Sequence, residues 1–280
     1  MSPVLSHWSA SWPALTIYAV LAGAHLAGLA RLRRAGDGAP AGRPSRGEAV
    51  LFQGGLLLAL LAIVSPLAHE AGIFIWVRAV QDLILAVVAP GMIVVGAPWA
   101  AFGARGRETP GWWLRWPVAS VVAFNVIWVA WHIPALYDRI PASAVATAAE
   151  YVLYLAAGTL FWLQVIGSRP WSPVSPPVRR ASLLIGTVAV DTVLGMVLVF
   201  GSSVIYPSYT NAAHHVMTVL DDQQLAGAVL WMGMLPPVIT AAVAVLIRWL
   251  NDEESEALST GLDRLLTPRS SAWPSRPRFR

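Results

Sequence analysis

Cysteine is absent from the 280 residues, which excludes a disulfide framework, a thiolate metal site and a redox-active thiol. Lysine is absent too: all 19 basic residues are arginine. Charge of either sign is scarce, at 12% of residues, about half of what a soluble domain carries. No nucleophile elbow, His-Glu zinc pattern or glycine-rich phosphate loop occurs, so no enzyme signature is present. What fills the chain is apolar mass. Hydrophobic residues make up 56%, gathered in runs close to the length that spans a bilayer core as helix, about 20 residues. The expected fold class is an all-α, multi-pass membrane protein.

Seven spans are expected, over 13–31, 49–67, 76–98, 117–137, 146–167, 182–205 and 222–247. The arginines orient them. Seventeen of the nineteen fall on alternate connections: Arg31 to Arg46, Arg105 to Arg115, Arg169 to Arg180, and from Arg248 to the end. The positive-inside rule then puts the N-terminus outside and the C-terminus in the cytoplasm. The sequence pI near 10.0 is this topology signal, and no motif supports a nucleic-acid partner. The first span lacks a basic segment before it and reads as an anchor that stays, not a cleaved leader. Trp8, Trp12, Trp76, Trp99, Trp112, Trp113, Trp116 and Trp171 sit at span ends, as an interfacial belt should. Residues 1–250 form the membrane domain. The tail, 251–280, begins acidic and ends in Pro, Ser and Arg, which predicts a short amphipathic helix followed by disorder.

Charged residues inside the spans are few and gather at one depth. Arg78 and Asp82 open the third span, His132 closes the fourth, and Glu150 opens the fifth. Asp221, Asp222, Gln223 and Gln224 open the seventh, after a loop with His214, His215 and Met217. On the topology above, all of these lie toward the outer face. A charge at the bilayer centre costs about 2.5–3.5 kcal/mol, and less toward the interface. Arg78 and Asp82 stand one helical turn apart on the same face. The convergence predicts a polar site facing the outer compartment.

Without cysteine, copper is the metal to weigh, because imidazole and thioether suit it and carboxylates can complete a site. "HHVM" offers two imidazoles and a thioether; it also reads as an ordinary polar loop. His132, two residues before Pro134, reads either as a ligand or as a partner for a carbonyl freed by the proline. Asp221 suits the start of the seventh helix as a cap; two glutamines entering the membrane behind it need another reason. Asp191, near mid-membrane in the sixth span, reads either as a transporter acid or as a partner of Gln53 or Asn125. A transporter would need a polar path continuing past Asp191, and the inner halves of the spans read as dry. Glycines and prolines in "VVAPGMIVVGAPW" read as helix-end punctuation.

Several motifs, in order, resemble one family. They are "SPLA", "AVQDLILAVVAPGMIVVGAPW", "WHIPALYD", "AAGTLFWLQVIGSRPW", "YPSY", "DQQLAG" and "RWL", over about residues 50–250. In these the chain resembles the CtaG-type cytochrome c oxidase assembly proteins, seven-span membrane proteins linked to maturation of caa-type oxidases. "DQQLAG" and "WHIPALYD" are the most specific. His132, Asp222 and Gln223 match the family pattern. The family's His-x-x-x-His pairs early in spans three and five do not carry over, since those positions hold Arg78 with Asp82, and Ala146 with Glu150.

The resemblance implies a non-enzymatic assembly factor in a bacterial plasma membrane, with oxidase subunits and lipid as partners. It would work at the outer face, in copper delivery or in holding a subunit during metallation. Its expected polar core is His132, Asp222, Gln223, Arg78, Asp82, Glu150 and Asp191, with His132, His214, His215 and Met217 as candidate copper ligands. The competing readings are a small-solute or ion transporter with an outer polar vestibule, and a scaffold subunit without metal.

Overall fold

The computed structural model describes residues 7–35, 43–104, 116–211 other than 170, 172 and 174, and 217–266. Helices account for the apolar runs. Helix α1 (Trp12–Arg34) takes a proline in its first turn and ends on Arg31, Arg33 and Arg34, both favourable placements. Helix α2 (Arg46–Val64) starts on a capping box. The Ser45 hydroxyl accepts the Glu48 N–H, and the Glu48 carboxylate accepts the Ser45 N–H. Pro66 stops α2 and opens the short α3 (Pro66–Glu70), which Ser65 caps.

The central element is one continuous rod, Ile75–Val95, in three parts: α4 (Ile75–Leu83), a π-helical turn (Ile84–Val88) and α5 (Ala89–Val95). Pro90 explains the π turn. It has no N–H to give Ala86, so the regular ladder is interrupted there. The Ala89 N–H reaches back to Ile84 O instead, and the Trp162 indole donates to Val87 O at 2.8 Å. The rod is 67% buried in its most apolar stretch, against 22% for α1, so it is the hub and α1 the periphery.

The remaining long helices are α6 (Pro117–Trp131), α8 (Ala144–Val165), α9 (Pro177–Phe200) and α10 (Val219–Leu266), with the single turn α7 (Pro134–Tyr137) after α6. Among the described residues, six helices are long and apolar enough to cross a membrane. The stretch expected as a fourth span over 117–137 is the exception. It is an apolar helix of 15 residues, about 22 Å long at 1.5 Å per residue, and it stops short of Pro134. The residue before a proline avoids the helical region, and Ile133 is extended accordingly, at φ −71° and ψ 129°. The last helix runs past the expected 247 without a break to Leu266, through Pro236 and Pro237. The beginning of the predicted tail therefore continues the final helix beyond its apolar segment, which ends at Asn251, and the rest of it lies outside the described residues. So do Trp112 and Trp113 of the predicted belt. Trp8, Trp12 and Trp116 are exposed, while Trp99 and Trp171 pack ring to ring, with centroids 4.7 Å apart.

Helix contacts rest on small residues, as they must where apolar burial alone gives no drive between helices. Gly195 of α9 and Gly227 of α10 face each other, and a Cβ on Gly227 would stand 2.7 Å from Gly195 O. Gly158 of α8 lies against the π turn, where a Cβ would run into the Ala86 carbonyl oxygen. That is the carbonyl left free by Pro90. A stacked Phe124–Phe161 pair, with centroids 4.8 Å apart, joins α6 to α8.

Candidate functional site

The start of α4, the end of α6, and the starts of α8 and α10 meet at one end of the bundle. Asp222 is the keystone. Its carboxylate accepts Ile75 N–H at 2.8 Å and Trp76 N–H at 2.9 Å, and it is fully buried. It thus sits on α10 but caps α4, where free N–H groups and the helix dipole favour an anion. Asp221 is the residue that serves its own helix, with Thr218 Oγ1 donating to it at 2.6 Å. Gln223 grips the chain leaving α9. Its amide oxygen accepts Ile205 N–H at 2.7 Å, and its Nε2 donates to Ser203 O at 3.2 Å. Gln224 Nε2 reaches Gly201 O at 3.3 Å.

One turn below the cap lies the charged centre. Arg78 Nη2 donates to Glu150 Oε2 of α8. Arg78 Nε stands 3.4 Å from Asp82 Oδ1, and Asp82 Oδ2 stands 3.9 Å from His132 Nε2. His132 Nδ1 lies 2.8 Å from Trp128 O; a carbonyl only accepts, so Nδ1 carries the proton and Nε2 is the atom turned toward Asp82. All four side chains are buried, with Asp82 and Glu150 at 0% exposure. One guanidinium therefore faces two carboxyl groups and an imidazole. Gln81, also buried, donates to Ala62 O at 2.6 Å and to Tyr151 OH at 3.0 Å. It ties α2, the hub and α8 together beside the ion pairs.

Four tyrosines that the sequence reading left out of the core enclose this centre. Tyr137 stacks on Tyr206 with centroids 4.0 Å apart, and the Arg78 guanidinium lies 5.9 Å from the Tyr137 ring centroid, within cation–π range. Tyr206 OH donates to His132 O at 2.9 Å, and Tyr209 OH to Ala71 O at 3.0 Å. Burial pushes the Tyr209 phenol up to about 12, with Arg78 opposing the shift, so it remains a donor at neutral pH. Tyr154 packs against Trp128 at 5.5 Å. Three of the four were available as a signal, because they lie in "WHIPALYD" and "YPSY". The two motifs also bond directly: Asp138 Oδ1 accepts Ser208 Oγ at 2.5 Å and Ser208 N at 3.2 Å.

Asp191 stands apart from this centre. Its partner is Trp128, whose indole donates to it at 3.2 Å; the expected partners are engaged elsewhere. Gln53 bonds His25 at 3.0 Å in the α1–α2 contact, and Asn125 bonds Thr187 at 3.0 Å. The half of the bundle away from the charged centre, where the sequence reads as dry, carries more polar groups than expected. Below Asp191 come Asn125 with Thr187, then Gln164 with Ser120 at 3.4 Å, then Arg180 donating to Val165 O at 3.2 Å. These are pairs closed between neighbouring helices, the arrangement that glues membrane helices together. Met217 lies in a bend just before α10, and His214 and His215 lie outside the described residues.

Among the described residues, no cluster of three His, Asp or Glu side chains is arranged to hold a metal ion. The donor chemistry of the charged centre also does not fit copper. It supplies one imidazole where copper favours several imidazole or thioether donors, and the Arg78 guanidinium fills the space between the carboxyl groups. A copper ion there would add like charge beside a buried cation.

No solved structure matches the chain. It is 24% identical over 261 residues to an uncharacterised protein of Mycobacterium leprae, and 23% identical to uncharacterised proteins of Mycobacterium bovis and Mycobacterium tuberculosis. Each alignment covers 85% of this chain but only 38–39% of the relative, so the chain spans about two fifths of their length. The family model described as "Cytochrome c oxidase caa3 assembly factor (Caa3_CtaG)" matches residues 23–252, a stretch that holds the capped hub, the charged centre and every motif quoted above. The chain therefore belongs to the caa3-type cytochrome c oxidase assembly factor family.

Proposed function

We propose that this protein is a non-catalytic assembly factor that holds a subunit of a haem-copper cytochrome c oxidase in the membrane while that subunit is metallated. The family membership over residues 23–252 carries the proposal. The geometry favours holding over metal transfer at the core, because an ion pair and a helix cap occupy the place where a transfer site would need open ligands. The arginine distribution supports seven crossings, with the fourth short, and a polar core that acts at the outer face of the bacterial plasma membrane. Copper capture is the second reading. It rests on the donor types of His214, His215 and Met217, not on His132, whose Nε2 is turned to Asp82. A transporter role has less support, since the polar groups beyond Asp191 are paired across helix contacts instead of lining a path.

Two measurements test this. Deleting the protein in the bacterium that encodes it should lower the amount of assembled oxidase and its bound haem, with transcript levels unchanged. Unaltered oxidase would refute the assembly role. Metal analysis of the detergent-purified protein after copper loading should find less than one copper per chain. Stoichiometric copper that disappears in a His214→Ala/His215→Ala variant would turn the reading to copper delivery.

A further inference from the structure

At the opposite end of the bundle from the charged centre, a cleft of about 720 Å³ opens between the hub, α2, α8 and α10. Its size falls in the range of ligand sites, about 300–1,000 Å³. α10 packs closely on α4 and α9, whereas α5 is held by α2 and α8; the cleft is the space left between α5 and the far half of α10. Pro237 lines it, in the tandem prolines that interrupt the helix ladder of α10. Its walls are apolar, built from Val88, Met92, Val95, Trp162, Ala241 and Ala244 among others.

Its rim differs from its walls. Arg169 and Arg248 both stand there with Glu48. Arg169 bonds Glu48 Oε1 at 2.6 Å, and its side chain is still 59% exposed. Arg248 donates to Ile166 O at 3.0 Å and enters no described ion pair. Among the described residues the rim thus holds two cations and one anion, at the end that the arginine distribution of the sequence assigns to the cytoplasm. Apolar walls that run into the membrane below a cationic mouth match an amphiphile with an anionic head, and basic pockets between helices at the cytoplasmic side are the common form of such sites.

We infer that this cleft is a binding site for an anionic phospholipid, with an acyl chain between α5 and α10 and the phosphate at Arg248 and Arg169. Arg248 makes the primary contact, because Glu48 already shares Arg169. This site is separate from the charged centre and does not depend on the oxidase reading.

The test is native mass spectrometry of the full chain released from vesicles of equal phosphatidylglycerol and phosphatidylcholine. The wild type should retain phosphatidylglycerol in preference. Arg248→Gln, a surface change that leaves the Glu48–Arg169 pair intact, should lower that preference about fivefold, the effect of one arginine at a membrane surface. Ala244→Phe, which fills the cleft, should reduce retention of both lipids while the melting temperature stays near wild type. Equal retention of the two lipids by the wild type, an unchanged preference in Arg248→Gln, or full retention in a folded Ala244→Phe would each overturn the inference.

Discussion

Arg78 is the single cation set against Asp82 and Glu150 in the charged centre, and this imbalance predicts an unusual mutational pattern. Arg78→Met removes the only guanidinium and leaves two buried carboxyl groups facing each other with none. Breaking a buried pair in this way costs about 3–5 kcal/mol. Glu150→Gln instead leaves Arg78 matched one-to-one with Asp82 at 3.4 Å, and the amide can still accept the Arg78 hydrogen bond. Its cost should be nearer that of weakening one charged hydrogen bond, about 1.5–3 kcal/mol. The double variant Arg78→Met/Glu150→Gln keeps only Asp82 without a cation, so it should be more stable than Arg78→Met alone by about 1–2 kcal/mol, within the usual range of coupling between touching residues. The assay is unfolding in mixed micelles by added SDS, followed through the intrinsic fluorescence of the 14 tryptophans. Additive effects, with the double variant less stable than Arg78→Met, would refute the account of the centre as two carboxyl groups held by one guanidinium.

Three further outcomes follow from the geometry. Asp222→Ala should destabilise by about 3–6 kcal/mol, since two N–H bonds to a buried carboxylate are lost. Asp222→Asn, which keeps one acceptor oxygen, should cost about half as much, and equal losses would argue against the capping role; both are read by the same SDS titration. Trp162→Phe should cost about 1–3 kcal/mol by stripping Val87 O of its donor, and hydrogen exchange should rise first around the π turn at 84–88. Tyr206→Phe deletes the hydroxyl that holds His132 O and should lower stability by about 1 kcal/mol, read by the same SDS titration; no loss would argue against that bond.

The helices could be read directly, because runs of apolar residues near 20 admit no other structure in lipid. The convergence of Arg78, Asp82, Glu150 and His132 was also legible, since alternation of direction puts them at one depth. Three features were not. Asp222 reads as a polar-core residue beside the cap Asp221, and nothing local says that its carboxylate turns to a helix 147 residues earlier. The partner of Asp191 is a tryptophan; an indole counts as membrane-interface furniture in a sequence, yet its N–H serves any buried acceptor. The end of α6 at Trp131 follows from Pro134, but the apolar run continues through Ile133 and Leu136, so hydropathy draws the span too long.

Gly158 has a meaning beyond close packing. Helices α4 and α8 both begin at the charged end and run the same way. Arg78 meets Glu150 there, and eight residues further along each helix Ala86 meets Gly158. The two contacts act as index marks at matching intervals, about 12 Å apart at 1.5 Å per residue. A slide of α8 by one turn would carry Glu150 about 5.4 Å from its arginine and bring a residue with a Cβ onto the Ala86 carbonyl. The depth of the acid is therefore gauged from below, by the one residue that has no side chain.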